Sequence, residues 1–285
     1  MLNTGNNQPG RLVLNGFISA SRSGNYSVSK PSHPLAGHLS LIIALTVTGS
    51  AQCQEESIES LSASAILGRV EATYAAARTY QDTGETRTTI VLENGKVSTG
   101  TRVSFITAYS IPDRYRFEFT SYHPYNDSYL RWIIFRRGSE IRVWYERERT
   151  ARDEVSLNAA FANAVAESGG SARDIASLLM PNEIVGLKQK DEGVAAKRLD
   201  NAPCDLMECF RVQWSAGEAP HEAASRTIWI ETTTFLIRRI DVHLVTGGNK
   251  AIFDTTTTYE SHLNQPIPGQ ALEFGIPPGA AAATK

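Results

Sequence analysis

Between Ile111 and Tyr145 the chain alternates apolar and polar residues in three consecutive runs, and this constrains the fold more than any other feature of the sequence. In the first run Tyr115, Phe117 and Phe119 alternate with Arg114, Arg116 and Glu118, the two-residue period of a strand with one apolar and one wetted face. The second, Tyr129 to Phe135, is too apolar for a face in water. The third sets Ile141, Val143 and Tyr145 against Arg142 and Glu146. Three such runs joined by short loops predict an antiparallel meander, whose aromatic stripe needs a surface to cover it.

The segments on either side supply that surface. From Ser57 to Tyr80, Ile58, Leu61, Ala65, Ile66, Val70, Tyr74 and Ala77 recur at spacings of three and four, which predicts an amphipathic helix. Thr83 to Leu92 and Val97 to Thr107 read as a hairpin about Asn94-Gly95, a pair that tolerates positive φ at both central positions; Val97, Val103 and Phe105 are expected on one face. Past the meander, Leu157, Phe161 and Val165 fall at spacing four up to Gly169-Gly170. Ser171 can then cap a second short helix carrying Ile175, Leu178 and Leu179, which Pro181 stops. Strands resume at Val194–Leu199, Phe210–Trp214, Arg226–Glu231, Phe235–Val245 and Ala251–Tyr259. Residues 52–285 read as one domain, folded over about 57–279, with a frayed tail from Ala280 to Lys285. The fold class is α+β: an incomplete antiparallel β-barrel, or half-barrel, wrapped around the leading helix, with the two inserted helices as core or as a lid.

The first 51 residues read as an extension and export signal. Before Glu55 there is no acidic residue, only Arg11, Arg22 and Lys30, and Leu39 to Val47 is an apolar run followed by the small residues Gly49-Ser50-Ala51. The run is shorter than the roughly 18 apolar residues of a membrane span. A signal cleaved after about Ala51, giving a periplasmic protein, is expected; an uncleaved anchor, a buried segment, or lipid attachment at Cys53 are the alternatives. Removing residues 1–54 leaves 25 basic against 30 acidic residues, a formal charge of −5. That balance argues against nucleic acid as a partner, since phosphate binding needs a concentrated basic surface.

Cys204 and Cys209 remain in such a chain, four residues between them. In an oxidising compartment two thiols this close pair, closing a tight hairpin worth roughly 2 kcal/mol; two free thiols or a metal site are the other readings. No histidine stands beside them to complete a tetrahedral set, and no metal is expected.

The usual catalytic signatures are missing. There is no Gly-x-Ser-x-Gly elbow, phosphate loop, dinucleotide fingerprint or His-Glu-x-x-His pair, and His123, His221, His243 and His262 show no ligand spacing. No catalytic residue and no cofactor is predicted. What remains is apolar surface shaped like a container, whose lining is expected from Val103, Phe105, Tyr115, Phe117, Phe119, Trp132 and Ile134 on strands. Phe161, Val165, Leu178 and Leu179 would face them from the inserted helices. The alternative is that these side chains simply fill a core.

Pro112-Asp113-Arg114-Tyr115-Arg116-Phe117-Glu118-Phe119, the turn at Gly138 followed by Ile141 and Val143, and Leu272-x-Phe274-x-Ile276-Pro277-Pro278-Gly279 resemble, in order and spacing, the LolA-like periplasmic lipoprotein carriers. The resemblance runs over most of Ser57 to Gly279. It departs at Ile111, where carriers have a lid-holding arginine, and at Arg137, where their turn has aspartate. It implies a half-barrel sheltering a lipid or lipoprotein acyl chain, a closing strand at Leu272–Gly279, a non-enzymatic monomeric carrier, and a partner protein in the inner or outer membrane. A periplasmic sensor or protein-interaction module, related to envelope-stress regulators, is the alternative.

Overall fold

Ser62 opens the first helix, its hydroxyl accepting a hydrogen bond from the Ala65 amide, and α1 runs Ala63–Ala75 with Ile66, Val70 and Tyr74 buried at spacing four. The computed structural model describes residues 58–124, 127–185, 195–218, 222–246 and 251–276. The chain divides into two units between Ser57 and Ile58, and all described residues belong to the second. The expected export signal and Cys53 lie outside them.

The helix is shorter than the periodicity of 57–80 predicts. A separate 3-10 turn, Ile58–Ser60, precedes it, and Thr79 and Tyr80 already belong to a strand. Tertiary pairing wins there: Thr79 and Tyr80 are matched to Ser110 and Tyr109, and Tyr80 also to Leu263. The β-branched Thr79 favours the extended choice.

Eleven strands follow. They are β1 (Thr79–Val91), β2 (Val97–Ser110), β3 (Arg114–His123), β4 (Ser128–Arg137), β5 (Glu140–Tyr145) and β6 (Thr150–Asp153), then β7 (Lys197–Cys204), β8 (Met207–Glu218), β9 (Glu222–Glu231), β10 (Ile237–Val245) and β11 (Ile252–Leu263). Between β6 and β7 come α2 (Leu157–Glu167) and α3 (Ser171–Leu179). All strand neighbours are antiparallel, in the order β6-β5-β4-β3-β2-β1-β11-β10-β9-β8-β7. The sheet is not closed, so the α+β incomplete barrel expected from the sequence is the architecture found. Its first and last strands pair in the middle, and α2–α3 connects its two edges.

Local departures have local causes. The hairpin between β1 and β2 turns over Leu92–Lys96, with only Gly95 at positive φ (75°); the Asn94 side chain instead accepts from the Lys96 amide at 3.0 Å. A bulge at Arg87/Thr89 shifts the register, and Val97 beyond it is exposed, off the face that Val103 and Phe105 share. Ser171 does not cap α3: Gly170 takes the cap position at φ 99°, and the hydroxyl of Ser168 accepts from the Ala172 amide at 3.1 Å.

The expected closing strand is also absent as far as Ile276. Gly269–Leu272 forms a 3-10 turn, and the chain then crosses the outer face of the meander. The Phe274 ring lies 5.3 Å from Phe135, and Glu273 pairs with Arg114 at 3.1 Å and Arg137 at 2.5 Å. This crossing explains how Phe135, pointing away from the main core, is nevertheless buried. No described helix is long and apolar enough to cross a membrane.

Candidate functional site

Tyr115, Phe117 and Phe119 on β3 stand on the face that the helices cover, because the two-residue period puts their charged neighbours on the other side. Across β2 the register sets Phe105 opposite Phe119 and Thr107 opposite Phe117. Across β4 it sets Trp132 opposite Phe119 and Ile134 opposite Phe117. The result is a belt of rings from the last strand to the fifth: Tyr259 to Phe105 at 5.5 Å, Phe105 to Phe117 at 5.7 Å, Phe117 to Phe119 at 5.6 Å, Phe119 to Trp132 at 6.0 Å and Trp132 to Tyr145 at 4.2 Å. Such separations are those of rings in mutual contact.

The inserted helices close over this belt. Phe161 of α2 meets Tyr115 edge-on at 5.9 Å. Val103, Phe105, Tyr115, Phe117, Phe119, Trp132, Ile134, Phe161 and Leu179 are buried in one cluster with the apolar faces of α1, β9 and β10, and Val165 and Leu178 pack partly buried against it. The interior between sheet and helices is occupied by these side chains, the filled core that was the alternative to a container. Open clefts lie elsewhere among the described residues. One of about 710 Å³ is lined by Glu59, Arg198, Asp200, Asn201, Glu208 and Thr232 among others. One of about 280 Å³ lies over β9–β11 beside Arg239, Asp241 and His243.

Polar side chains at its rim tie the insert to the sheet. Arg226 of β9 pairs with Asp174 of α3 at 2.8 Å, both largely buried, and the Tyr259 hydroxyl reaches the same carboxylate at 3.5 Å. Arg136 of β4 pairs with Glu183 just beyond α3 at 2.6 Å. His123 of β3 stands 3.4 Å from Glu167 at the end of α2. His123 does not meet Asp127, which accepts instead from the Tyr122 hydroxyl at 3.1 Å.

A polar patch lies on the covered face. Asp82 on β1 is 1% exposed; its register partners are Ser261 on β11 and Thr107 on β2. The Tyr80 hydroxyl donates to Asp82 Oδ2 at 2.6 Å and lies 2.9 Å from the Ser261 hydroxyl. The Tyr74 hydroxyl, from α1, accepts the Ile237 amide at 3.1 Å. Asp82 Oδ1 and Trp132 Nε1 are each buried without a hydrogen-bond partner. Burial pushes the Asp82 carboxyl up to about 6, with Thr107 and Tyr80 opposing the shift in part, and burial likewise drives Tyr80 and Tyr115 well above the ordinary tyrosine range. The strand read from the sequence began at Thr83 and left Asp82 out, whereas β1 begins at Thr79. An acidic residue at the even position of a Thr-rich strand was the available signal, but nothing in the sequence told which face was covered.

A carboxyl whose folded pKa is raised contributes stability that is complete below its unfolded value near 4 and lost as pH rises to about 6. Two units amount to about 3 kcal/mol. Asp82→Asn should therefore gain about that much on the wild type between pH 4 and pH 7.5, read from urea unfolding at each pH. A constant difference between the two proteins would mean that Asp82 does not change its proton binding on folding.

Cys204 and Cys209 form a disulfide across the β7–β8 turn, where Asp205 has φ 53°. Among the described residues no group of three His, Cys, Asp or Glu side chains could hold a metal ion.

No family model matches the chain, and no curated protein does. Among solved structures it is similar to LprF from Mycobacterium bovis (10% identity, TM-score 0.38, covering 72% of this chain and 94% of that one). It is also similar to a DUF1329 family protein from Desulfovibrio piger (10%, 0.35, 74% and 97%) and to the LolA superfamily protein NE2245 from Nitrosomonas europaea (8%, 0.28, 75% and 98%). At TM-scores this low, fold and function rest on this chain's own residues.

Proposed function

We propose that this is an exported protein of the bacterial envelope that carries a lipid or a lipoprotein acyl chain between the sheet and its inserted helices, without catalysing a reaction. The observation behind it is the continuous belt of rings from Tyr259 to Tyr145, covered by two short helices that join the sheet edges and are tied down at their rim by Arg226–Asp174, Arg136–Glu183 and His123–Glu167. A guest enters when those ties open and α2–α3 swings from the belt, exchanging ring-to-helix contact for ring-to-acyl contact. Burying a sixteen-carbon chain is worth about 12 kcal/mol gross at about 0.8 kcal/mol per methylene.

Protein purified gently from the envelope should release lipid on extraction, seen by mass spectrometry. Protein that releases none, and takes up no neutral fluorescent acyl probe, would overturn the reading. Recovery of a stable membrane partner in the absence of lipid would favour the sensor or interaction module.

A further inference from the structure

On the covered face the register sets Asp82 between an aromatic row, Tyr80, Tyr109 and Tyr115, and the phenylalanines of the belt. Asp82, Thr107 and Phe117 stand side by side on β1, β2 and β3, and Gly84, Phe105 and Phe119 form the next row. One carboxylate oxygen in this row, Asp82 Oδ1, is buried without a hydrogen-bond partner, with Thr107 as the carboxyl's polar neighbour on β2. Among the described residues no lysine or arginine pairs with Asp82. Arg238, on β10 beyond β11, is committed to Glu231 at 2.6 Å and to the Ser261 carbonyl at 3.2 Å. Tyr80 spends its proton on the other oxygen. A polar cluster that served only to fix strand pairing would be expected to satisfy its most costly acceptor, because a buried acceptor without a donor forfeits its whole solvation.

We propose that Asp82 is the headgroup contact of the binding site and selects amphiphiles whose neutral head donates a hydrogen bond, a hydroxyl or amide N–H, over free fatty acids. This rests on the reading of the interior as a container. A donor at Oδ1 supplies the missing bond and leaves an acyl tail beside Phe117, Phe105 and Phe119. A fatty-acid carboxylate brought to the same place sets two like charges together away from water, where their repulsion is strong.

Monopalmitoylglycerol, palmitate and methyl palmitate, offered to the purified full chain at about pH 8 with bound lipid removed, distinguish the outcomes. The wild type should bind monopalmitoylglycerol about tenfold tighter than either competitor, as one hydrogen bond to a charged acceptor requires. Asp82→Asn keeps an acceptor for Tyr80 but loses the charge, and should narrow the ratio of monopalmitoylglycerol to palmitate by about tenfold, mostly by admitting palmitate. Equal affinity of the wild type for all three, or an unchanged ratio in Asp82→Asn, overturns the headgroup assignment while the container stands. Failure of all three to bind the wild type overturns the container and the assignment with it.

Discussion

Gly84→Ala should destabilise the protein by about 3 kcal/mol or more, the largest loss expected from adding a single methyl group anywhere in this sheet. Gly84 sits on β1 between Tyr259 on β11 and Phe105 on β2. A Cβ there would come within 2.2 Å of Phe105 Cζ and 2.4 Å of the Thr258 carbonyl oxygen. The ring has nowhere to retreat, since Phe117 and Tyr259 hold it at 5.7 and 5.5 Å, and the carbonyl belongs to a paired strand. The absence of a side chain is what lets Phe105 lie across the centre of the sheet. Gly68 on α1 provides the control, with nothing within 4 Å of an added Cβ; Gly68→Ala should stabilise by about 1 kcal/mol through helix propensity. Urea midpoints of the two variants, moving in opposite directions, check both. A Gly84→Ala protein as stable as the wild type would mean that Phe105 does not occupy this place.

Arg226→Met should cost about 3–5 kcal/mol, the usual consequence of leaving one member of a buried ion pair behind. The Asp174 side chain is 10% exposed and would keep only the 3.5 Å contact from Tyr259. The loss should be read in two ways: as a lower unfolding midpoint, and as faster amide exchange through α3, because Asp174 lies on that helix. Exchange that accelerated equally in β1 and β11 would mean that the pair stabilises the fold as a whole and not the attachment of the insert.

The strands of this sheet were readable wherever residues alternated. Tyr115, Phe117 and Phe119 announced their face at once, and Asn94-Gly95 announced a turn, because both signals are local. The order of strands was not readable, since nothing in the sequences of β1 and β11 says that they pair with each other across some 170 residues. Misread ends have the same origin. Thr79 and Tyr80 carry on the helical period of α1 but are claimed by partners on β2 and β11, and Leu272 to Ile276 has the apolar spacing of a strand but packs across the outer face through Phe274 and Glu273. The eleven apolar residues named from the sequence came together in one packed cluster because apolar stripes are legible. Asp82, Arg226 and Asp174 were not, because the role of a charged residue depends on which side of its element is covered.

The pairing of β1 with β11 bears on how the molecule is born. During synthesis β1 through β6 emerge as a chain of neighbouring hairpins that can zip together unaided, yet β1 keeps one bare flank until the ribosome has delivered residues 252–263. That flank is the middle of the finished molecule, and an unpartnered strand is an invitation to the wrong neighbour. Its threonines, Thr86 and Thr88, wait for Thr257 and Thr255, whose hydroxyls meet theirs at 3.0 Å. A nascent chain truncated before Ile252 would thus hold β1–β6 and β7–β10 as two sheets without the strand that joins them, each with a bare flank, and be a client for whatever chaperone shields incomplete sheets.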